Sequence, residues 1–204
     1  MLKLFRLTLS IQKEVANVHD LTPITALGSD EARVDTIGNL TCHEVPEVAL
    51  AAVSARMGKE SQTRTAIKKL IKADAPDVSR FDGGTVSAFW SAPEQWMLEA
   101  PFDGHEDLAA RAKVTLKANA TVVEQTDAWT RFDIFGDDVL DAMELLCNAN
   151  TRSMMAGACT RSSIHHLGCF ILCRNTNQFS IYGPRASAGS LHHAILTALQ
   201  TIAR

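Results

Sequence analysis

The stretch WTRFDIF, residues 129–135, alternates between two kinds of side chain. In an extended chain, Phe132 and Ile134 fall on one face, while Arg131 and Asp133 fall on the other. Because side chains of a strand point alternately to opposite sides, this period of two predicts a β-strand with one apolar face. We therefore expect the stretch to form a strand of a sheet that has helices packed against its apolar side.

Strand and helix patterns surround this stretch in both directions. Further strands are predicted at residues 85–90, 96–100, 120–125, 159–166, 169–174 and 179–182, and helices at residues 104–118, 137–147 and 187–202. The order strand, helix, strand appears twice, which indicates a weak internal symmetry. This arrangement predicts an α+β fold with mixed or antiparallel sheets and with helices packed on one face.

The N-terminal part of the chain has a different texture. Residues 46–72 predict a helical pair, in which Pro46 begins the first helix, Gly58 ends it and residues 59–72 form the second. Residues 1–40 contain several turn-forming residues and little periodicity, so they predict an irregular arm that lies on the main body. The predicted organisation is an arm over residues 1–40 and a single domain over residues 41–204.

Composition excludes several classes of protein. The chain has 204 residues and a net charge of -3, so the basic surface of a nucleic-acid-binding protein is not expected. The charge-free run at residues 7–12 is too short for a secretory signal, and the apolar run at residues 48–55 is too short to cross a membrane. An odd number of cysteines, five, argues against a disulfide framework. Together these features predict a cytoplasmic protein in a reducing setting that does not associate with a membrane.

Cofactor and metal motifs give little signal. The sequence contains neither a G-x-G-x-x-G fingerprint nor a P-loop, so no nucleotide or flavin site is expected on this chain. Cys169 and Cys173 are four residues apart and lack C-x-x-C spacing, which favours core thiols. The adjacent histidines at 165–166 and at 192–193 lack the i, i+4 spacing of helical metal ligands. We expect no metal site and no catalytic residue.

One short motif precedes the last predicted helix. Tyr182 and Arg185 enclose a Gly-Pro turn just before the helix, where unpaired backbone N–H groups favour an anion. Capping of the helix is the more common role of such a turn. If the chain holds a ligand, Arg161, His166, Tyr182 and Arg185 are the candidate residues.

Four groups of residues resemble one family when they are taken in order and with their spacing. They are Phe89–Met97, Gln125–Ile134, Met155–Arg161 with Ile164–Phe170, and Ile181–Arg185 with Leu191–Ala194. From about residue 21 to the C-terminus, the chain resembles the gamma-subunit family of heterotetrameric sarcosine oxidase. That family is similar in fold to the folate-binding glycine-cleavage T-protein, an aminomethyltransferase. The resemblance implies an aminomethyltransferase-like fold with ferredoxin-like elements.

The resemblance also implies a role. A gamma chain of this family is a non-catalytic subunit that lies against alpha, beta and delta subunits. The assembled enzyme oxidatively demethylates sarcosine to glycine and forms hydrogen peroxide with methylene-tetrahydrofolate or formaldehyde. The other subunits carry FAD, FMN, NAD, tetrahydrofolate and zinc, and the gamma chain carries no cofactor.

Two alternatives remain open at the level of sequence. The first is a subunit of a related N-methyl amino acid dehydrogenase, such as N-methylglutamate dehydrogenase. The second is a stand-alone folate-binding protein of one-carbon metabolism, with the four candidate residues lining a pterin pocket.

Overall fold

The computed structural model describes residues 23–203. Its strands, in chain order, are β1 Val34–Ile37, β2 Leu40–Glu44, β3 Val48–Ala55, β4 Phe81–Gly83, β5 Ser87–Ala92, β6 Gln95–Pro101, β7 Ala120–Glu124, β8 Trp129–Gly136, β9 Ala158–Ile164, β10 Leu167–Asn175 and β11 Gln178–Pro184. Its helices are α1 Glu60–Ile71, α2 Leu108–Leu116, α3 Val139–Leu146 and α4 Ala188–Ile202. None of these helices is long and apolar enough to cross a membrane.

The strands form two sheets. The first sheet has the order β1-β2-β8-β11-β10-β9, and the second has the order β4-β5-β6-β3-β7. Every strand pairing between described residues is antiparallel. The prediction of antiparallel sheets in an α+β fold is therefore confirmed.

The sheets and helices stack in four layers, which three apolar clusters hold together. One cluster joins the outer face of the first sheet to α3 and α4, with Phe132 and Leu191 among its members. A second cluster joins the outer face of the second sheet to α1 and α2, with Val53 and Ile67 among its members. The third, here called the interlayer core, lies between the sheets and consists of Val48, Leu50, Phe89, Met97, Cys159, Phe170, Leu172 and Tyr182. Each sheet thus has helices on one face and the other sheet on its opposite face.

The alternation that predicted β8 explains its place in these layers. Phe132 and Ile134 are fully buried in the cluster beneath α3 and α4. Arg131 and Asp133 point the other way, into the space between the sheets, where Arg131 reaches Glu99 of β6. The predicted apolar face is confirmed, and the charged face proves to be buried as well.

The two sheets repeat one chain path. In the second sheet the chain runs from β3 through α1 to β4, β5 and β6, and then through α2 to β7. In the first sheet it runs from β8 through α3 to β9, β10 and β11, and then into α4. The spatial orders β7-β3-β6-β5-β4 and β2-β8-β11-β10-β9 correspond strand by strand. In the first sheet β2, from the other end of the chain, occupies the place that β7 occupies in the second, so the internal symmetry is much closer than the sequence indicated.

The prediction of a first helix in residues 46–58 is wrong, because residues 48–55 form the strand β3. This strand lies in the second sheet between β6 and β7, with Ala51 and Val53 facing the helices and Val48 and Leu50 facing the other sheet. A strand that is buried on both faces has a continuous apolar run, as a buried helix does, so periodicity cannot separate the two. The second helix of the pair is confirmed as α1.

Two further expectations need correction. Residues 1–22 of the predicted irregular arm lie outside the described residues. Within the rest of the arm, Val34–Ile37 is not irregular, since it forms β1 at the edge of the first sheet. The strand predicted over residues 159–166 ends at Ile164, and His165 and His166 form a tight turn at φ values of 48° and 66°. The division of the chain at residue 40 stays a prediction.

A substitution at Gly136 tests the pairing of β8 with β2. Its φ is +140°, and a Cβ atom at this position would lie 2.1 Å from the carbonyl oxygen of Asn39. We expect Gly136→Ala to lower the free energy of unfolding by about 3 kcal/mol, through backbone strain and overlap. Urea denaturation measures the loss. Gly189→Ala is the matched control, because a Cβ there meets nothing within 4 Å. Equal stability of the two variants would contradict this placement of β2.

Candidate functional site

A cavity of about 650 Å³ opens at one end of the space between the sheets. Residues 23–33, here called the cover segment, form one wall, and the connection from β2 to β3 forms another. The lining residues are Pro23, Ile24, Thr25, Ala26, Asp30, Ala32, His43, Glu44, Val45, Pro46, Glu47, Val48, Leu50, Phe102, Thr126, Asp127, Trp129, Thr130, Arg131, Tyr182 and Arg185. Ligand pockets of proteins fall in this range of size.

Two side chains attach the cover segment to the body of the protein. The buried carboxylate of Glu44 accepts hydrogen bonds from the backbone N–H of Leu27 at 3.0 Å and of Arg33 at 3.2 Å. Arg185 donates a hydrogen bond to the carbonyl oxygen of Ile24 at 3.2 Å. A buried carboxylate needs such donors to offset its lost hydration, so Glu44 fixes the path of the segment over the cavity.

Aromatic side chains separate the cavity from the interlayer core. Tyr182 stacks on Phe89, with ring centroids 5.5 Å apart and planes at 28°. Trp129 lies 5.1 Å from Phe170, and its indole N–H donates to Gln125 at 3.1 Å. Because these contacts hold the rings in place, the cavity has a rigid inner wall.

Tyr182 also carries a buried hydroxyl. The residue is only 1% exposed, and its hydroxyl oxygen has no hydrogen-bond partner among the described residues. Burial raises the pKa of Tyr182 well above its usual value, and the neighbouring carboxylate of Glu99 adds to the rise. The phenol therefore stays neutral and can donate a hydrogen bond.

Near this hydroxyl lie four charged side chains and one serine that bonds to them. They are here called the ion-pair network: Glu99, Arg131, Asp133, Arg174 and Ser180. Arg131 holds Asp133 through two bonds of 2.7 and 2.6 Å and reaches Glu99 at 3.0 Å. Arg174 donates to both oxygens of Glu99 at 2.8 Å. Two guanidinium groups face two carboxylates, so the charges of the network balance.

Ser180 completes the ion-pair network. Its hydroxyl donates to Asp133 at 2.6 Å and accepts a hydrogen bond from Arg174 at 2.8 Å. Burial alone would raise the pKa of Asp133, but the hydrogen bonds and charge of Arg131 outweigh it and hold the pKa of this carboxyl below its usual value. Every charged group is thus paired, which is the pattern of a stabilising cluster rather than of a reactive one.

The ion-pair network also lines a second, smaller cleft of about 350 Å³. The two spaces have Val45, Glu47, Val48 and Arg131 in common. The side chain of Arg131 therefore stands between the large cavity and the cleft.

The structure brings together two of the four predicted ligand residues. Tyr182 and Arg185 both line the large cavity. Arg161 lies on β9 at the edge of the first sheet, exposed, with its guanidinium 5.4 Å from the centre of the Phe170 ring. His166 lies in the exposed turn between β9 and β10. Neither Arg161 nor His166 lines this cavity, and ligand binding by Tyr182 and Arg185 stays a prediction.

Sequence reasoning missed Glu44 and Arg131 as residues that shape the cavity. The pattern at Arg131 pointed the other way, since charged residues that alternate with apolar ones are typical of a strand whose polar face meets solvent. Glu44 gave no signal, because its partners are backbone groups 17 and 11 residues away.

Thiols and histidines form no reactive centre in the described residues. All five cysteines are buried and unpaired by disulfides. Burial raises the pKa of Cys42 to about 12 and that of Cys159 to about 11. Among residues 23–203, no group of three or more His, Cys, Asp and Glu side chains is arranged to hold a metal ion. His192 instead pairs with Asp35 at 2.8 Å, which ties α4 to β1.

Two similar proteins are among the solved structures that match this chain. A chain of the heterotetrameric sarcosine oxidase from Corynebacterium sp. U-96, in complex with pyrrole 2-carboxylate, superposes with a TM-score of 0.71 at 16% identity, over 84% of this chain and 89% of that chain. Aminomethyltransferase T of the glycine cleavage system from Bartonella henselae gives a TM-score of 0.59 at 12% identity, over 79% of this chain and 46% of that chain. No protein-family model and no curated protein matches the amino-acid sequence.

These likenesses concern the fold. The resemblance to sarcosine oxidase and to the glycine-cleavage T-protein, which four groups of residues predicted, is confirmed at that level. The chain spans about half the length of the aminomethyltransferase and nearly the whole length of the sarcosine oxidase chain.

The ion-pair network should make the stability of the folded protein depend on pH. The folded protein holds the pKa of Asp133 below the value of 3.8 expected in the unfolded chain. This stabilisation is therefore complete above about pH 5 and is lost as the pH falls through the folded-state pKa. We expect Asp133→Asn to cost about 3 kcal/mol at pH 7, because it leaves Arg131 partly unpaired, and to flatten the fall of stability below pH 5.

Urea denaturation at a series of pH values measures both effects. Asp127→Asn serves as the matched control, since it removes the charge of an exposed carboxyl outside the network. If the two variants have the same stability at pH 7 and the same pH dependence, Asp133 is not the coupled group.

Proposed function

We propose that this chain is a non-catalytic subunit of the gamma type in a heterotetrameric sarcosine oxidase. The observation that carries the proposal is the superposition on a sarcosine oxidase chain over 84% of one chain and 89% of the other. Two chains of similar length that share a fold almost from end to end are candidates for the same position in an assembly. The ordered groups of residues that resemble the gamma-subunit family support the same assignment.

This chain matches only part of the aminomethyltransferase, which favours a role as a subunit over a role as a complete transferase. The chain corresponds to only 46% of that enzyme, so more than half of the enzyme has no counterpart here. The charged residues of the ion-pair network are also engaged with one another. We therefore assign the catalytic groups of the complex to other chains and transfer no catalytic residue to this one.

The proposal names partners by the resemblance. These are alpha, beta and delta subunits, on which FAD, FMN, NAD, tetrahydrofolate and zinc are carried. The reaction of the complex is the oxidative demethylation of sarcosine to glycine with reduction of oxygen to hydrogen peroxide.

Co-purification tests the proposal. The tagged chain is isolated from its native cell extract, and the eluate is assayed for flavin absorbance and for sarcosine-dependent peroxide. We expect a yellow eluate that contains larger chains and oxidises sarcosine, because a subunit of this type is isolated with its partners. N-methylglutamate with an artificial electron acceptor is the matched substrate control for a related dehydrogenase complex. A colourless eluate that contains this chain alone would sink the subunit assignment.

The cavity favours one second candidate, a folate-binding role for the chain by itself. Its volume suits a bicyclic ring, and its inner wall is aromatic. Arg185 at the rim could meet a carboxylate.

Calorimetry with tetrahydrofolate tests this candidate on the purified chain. If the cavity holds the pterin, heat of binding is observed and Arg185→Ala weakens affinity about tenfold, because the charge-assisted hydrogen bond to the ligand carboxylate is lost. Val114→Ala, at an exposed position on α2, is a control that leaves binding unchanged. No heat at concentrations up to about 1 mM of ligand, the weak end of specific binding, would remove the candidate.

A further inference from the structure

The internal repeat leaves one sheet edge without its counterpart. In the first sheet, β1 pairs with the outer edge of β2. In the second sheet, β7 occupies the place that corresponds to β2, but no strand of residues 23–203 pairs with its outer edge. The second sheet therefore has five strands where the first has six.

The free edge presents a regular set of backbone groups. Gln125 donates to Leu50, and Arg56 donates to Asn119, so the residues of β7 at positions 121 and 123 direct their backbone groups toward β3. By the alternation of an antiparallel ladder, residues 120, 122 and 124 direct theirs outward. Within the described part of the chain, these outward groups form no backbone hydrogen bond.

Two other sheet edges, those of β4 and β9, are short or partly covered, and the edge of β7 is neither. The edge strand β4 has only three residues. The start of β9 is covered, since Ser79 accepts a bond from Cys159 and Arg80 bridges to Ala158. In contrast, β7 reads ATVVE and contains no Lys, Arg or Pro, the residues with which proteins usually block an edge. The side chain of Val123 is 49% exposed on the inner face of this strand.

Charge at the two ends of β7 selects the occupant. Arg56 and Lys117 lie exposed at its beginning, and Glu124 and Asp127 lie exposed at its end. A second strand that pairs antiparallel with β7 and has the same distribution of charge would place its acidic end beside the basic end of β7. Its basic end would lie beside the acidic end of β7. A second copy of this chain, related by a two-fold axis, has that distribution at both ends.

We infer that β7 pairs antiparallel with β7 of a second copy, centred on Val122, so that the two second sheets form one continuous sheet. In this register Ala120 faces the second copy's Glu124, and Thr121 faces its Val123, which pairs β-branched side chains. Lys117 approaches the end that carries the second copy's Asp127. The inference goes beyond the proposed function and does not depend on it.

The expected dimer is weak. A contact limited to one five-residue strand and its flanks lies at the small end of specific interfaces. We therefore expect dissociation in the micromolar range, and the measurement must cover about 1 to 200 μM of the full chain. Sedimentation and light scattering give the mass, and hydrogen exchange gives the protection of the outward amides of residues 120, 122 and 124.

Three variants locate the contact. Val123→Lys places a charge on the exposed edge, and we expect it to weaken the dimer about tenfold or more. Lys117→Glu removes the complementary charge and should weaken it about fivefold, whereas Lys117→Glu combined with Asp127→Lys should restore it to within about twofold. Val114→Lys, at a position on α2 that is 76% exposed, is the matched control and leaves the mass distribution unchanged. Circular dichroism confirms that each variant is folded.

The outcomes separate cleanly. The inference is supported by concentration-dependent dimerisation with slow exchange at the amides of residues 120, 122 and 124, which is lost in Val123→Lys. The dimer should also weaken in Lys117→Glu and recover in the charge swap. A chain that is monomeric over the whole concentration range overturns the inference. Protection of these amides in such a monomer would mean that another segment of the same chain covers the edge, and it overturns the inference as well. A dimer that is indifferent to Val123→Lys overturns it as well, since the contact is then elsewhere. No outcome depends on oxidase activity, so a failed subunit assignment leaves this result unaffected.

Discussion

Pairing of four charged groups in the space between the two sheets sets how the sheets face each other. Glu99 comes from the second sheet, while Arg131, Asp133 and Arg174 come from the first. A buried charge without a partner costs several kcal/mol, so the sheets can approach only in the register that brings these groups together. Apolar packing alone tolerates small slides between layers, whereas the hydrogen bonds of 2.8 to 3.0 Å that Arg131 and Arg174 donate to Glu99 across the layers do not. The network thus fixes an arrangement that the interlayer core then fills.

The position of the cavity follows from this constraint. Phe89, Phe170 and Tyr182 close the gap between the sheets with stacked and tilted rings, and this aromatic wall is the inner end of the cavity. At the outer end the connection from β2 to β3 leads the chain from one sheet to the other, and among residues 23–203 the cover segment closes the gap there. Because Glu44 holds this segment through backbone groups, the wall is specific in shape and nearly independent of the side chains it carries. A family built on this frame can change what the cavity admits by changing the cover segment alone.

Local pattern sufficed for elements with one apolar face. The alternation in β8 predicted both its strand and its two faces, and the stripes of α3 and α4 gave these helices correctly because each packs on a single sheet. It failed at β3, which is apolar on both faces. It also placed the turn after β9 too late, because a turn at His165 and His166 needs positive φ at two residues that are not glycine, for which the sequence carries little signal. At the site, Tyr182 and Arg185 were accessible to prediction because they adjoin a turn before a helix. Arg161 and His166 were grouped with them by resemblance, and the hairpin of β9 and β10 carries both away from the cavity.

The repeat explains why the N-terminal strands belong to the same body as the rest. Each repeat has a place for a strand beside its first strand, which β7 fills in the second sheet from within the repeat and β2 fills in the first sheet from outside it. Removal of β2 would expose the edge of β8 and would take Leu40 and Cys42, which are both fully buried, out of the cluster beside α3 and α4. The His192–Asp35 pair adds a second tie, because it links the hairpin of β1 and β2 to the last helix. The first sheet is therefore closed by contacts between the two ends of the chain, and its folding depends on the N-terminal hairpin as much as on the repeat itself.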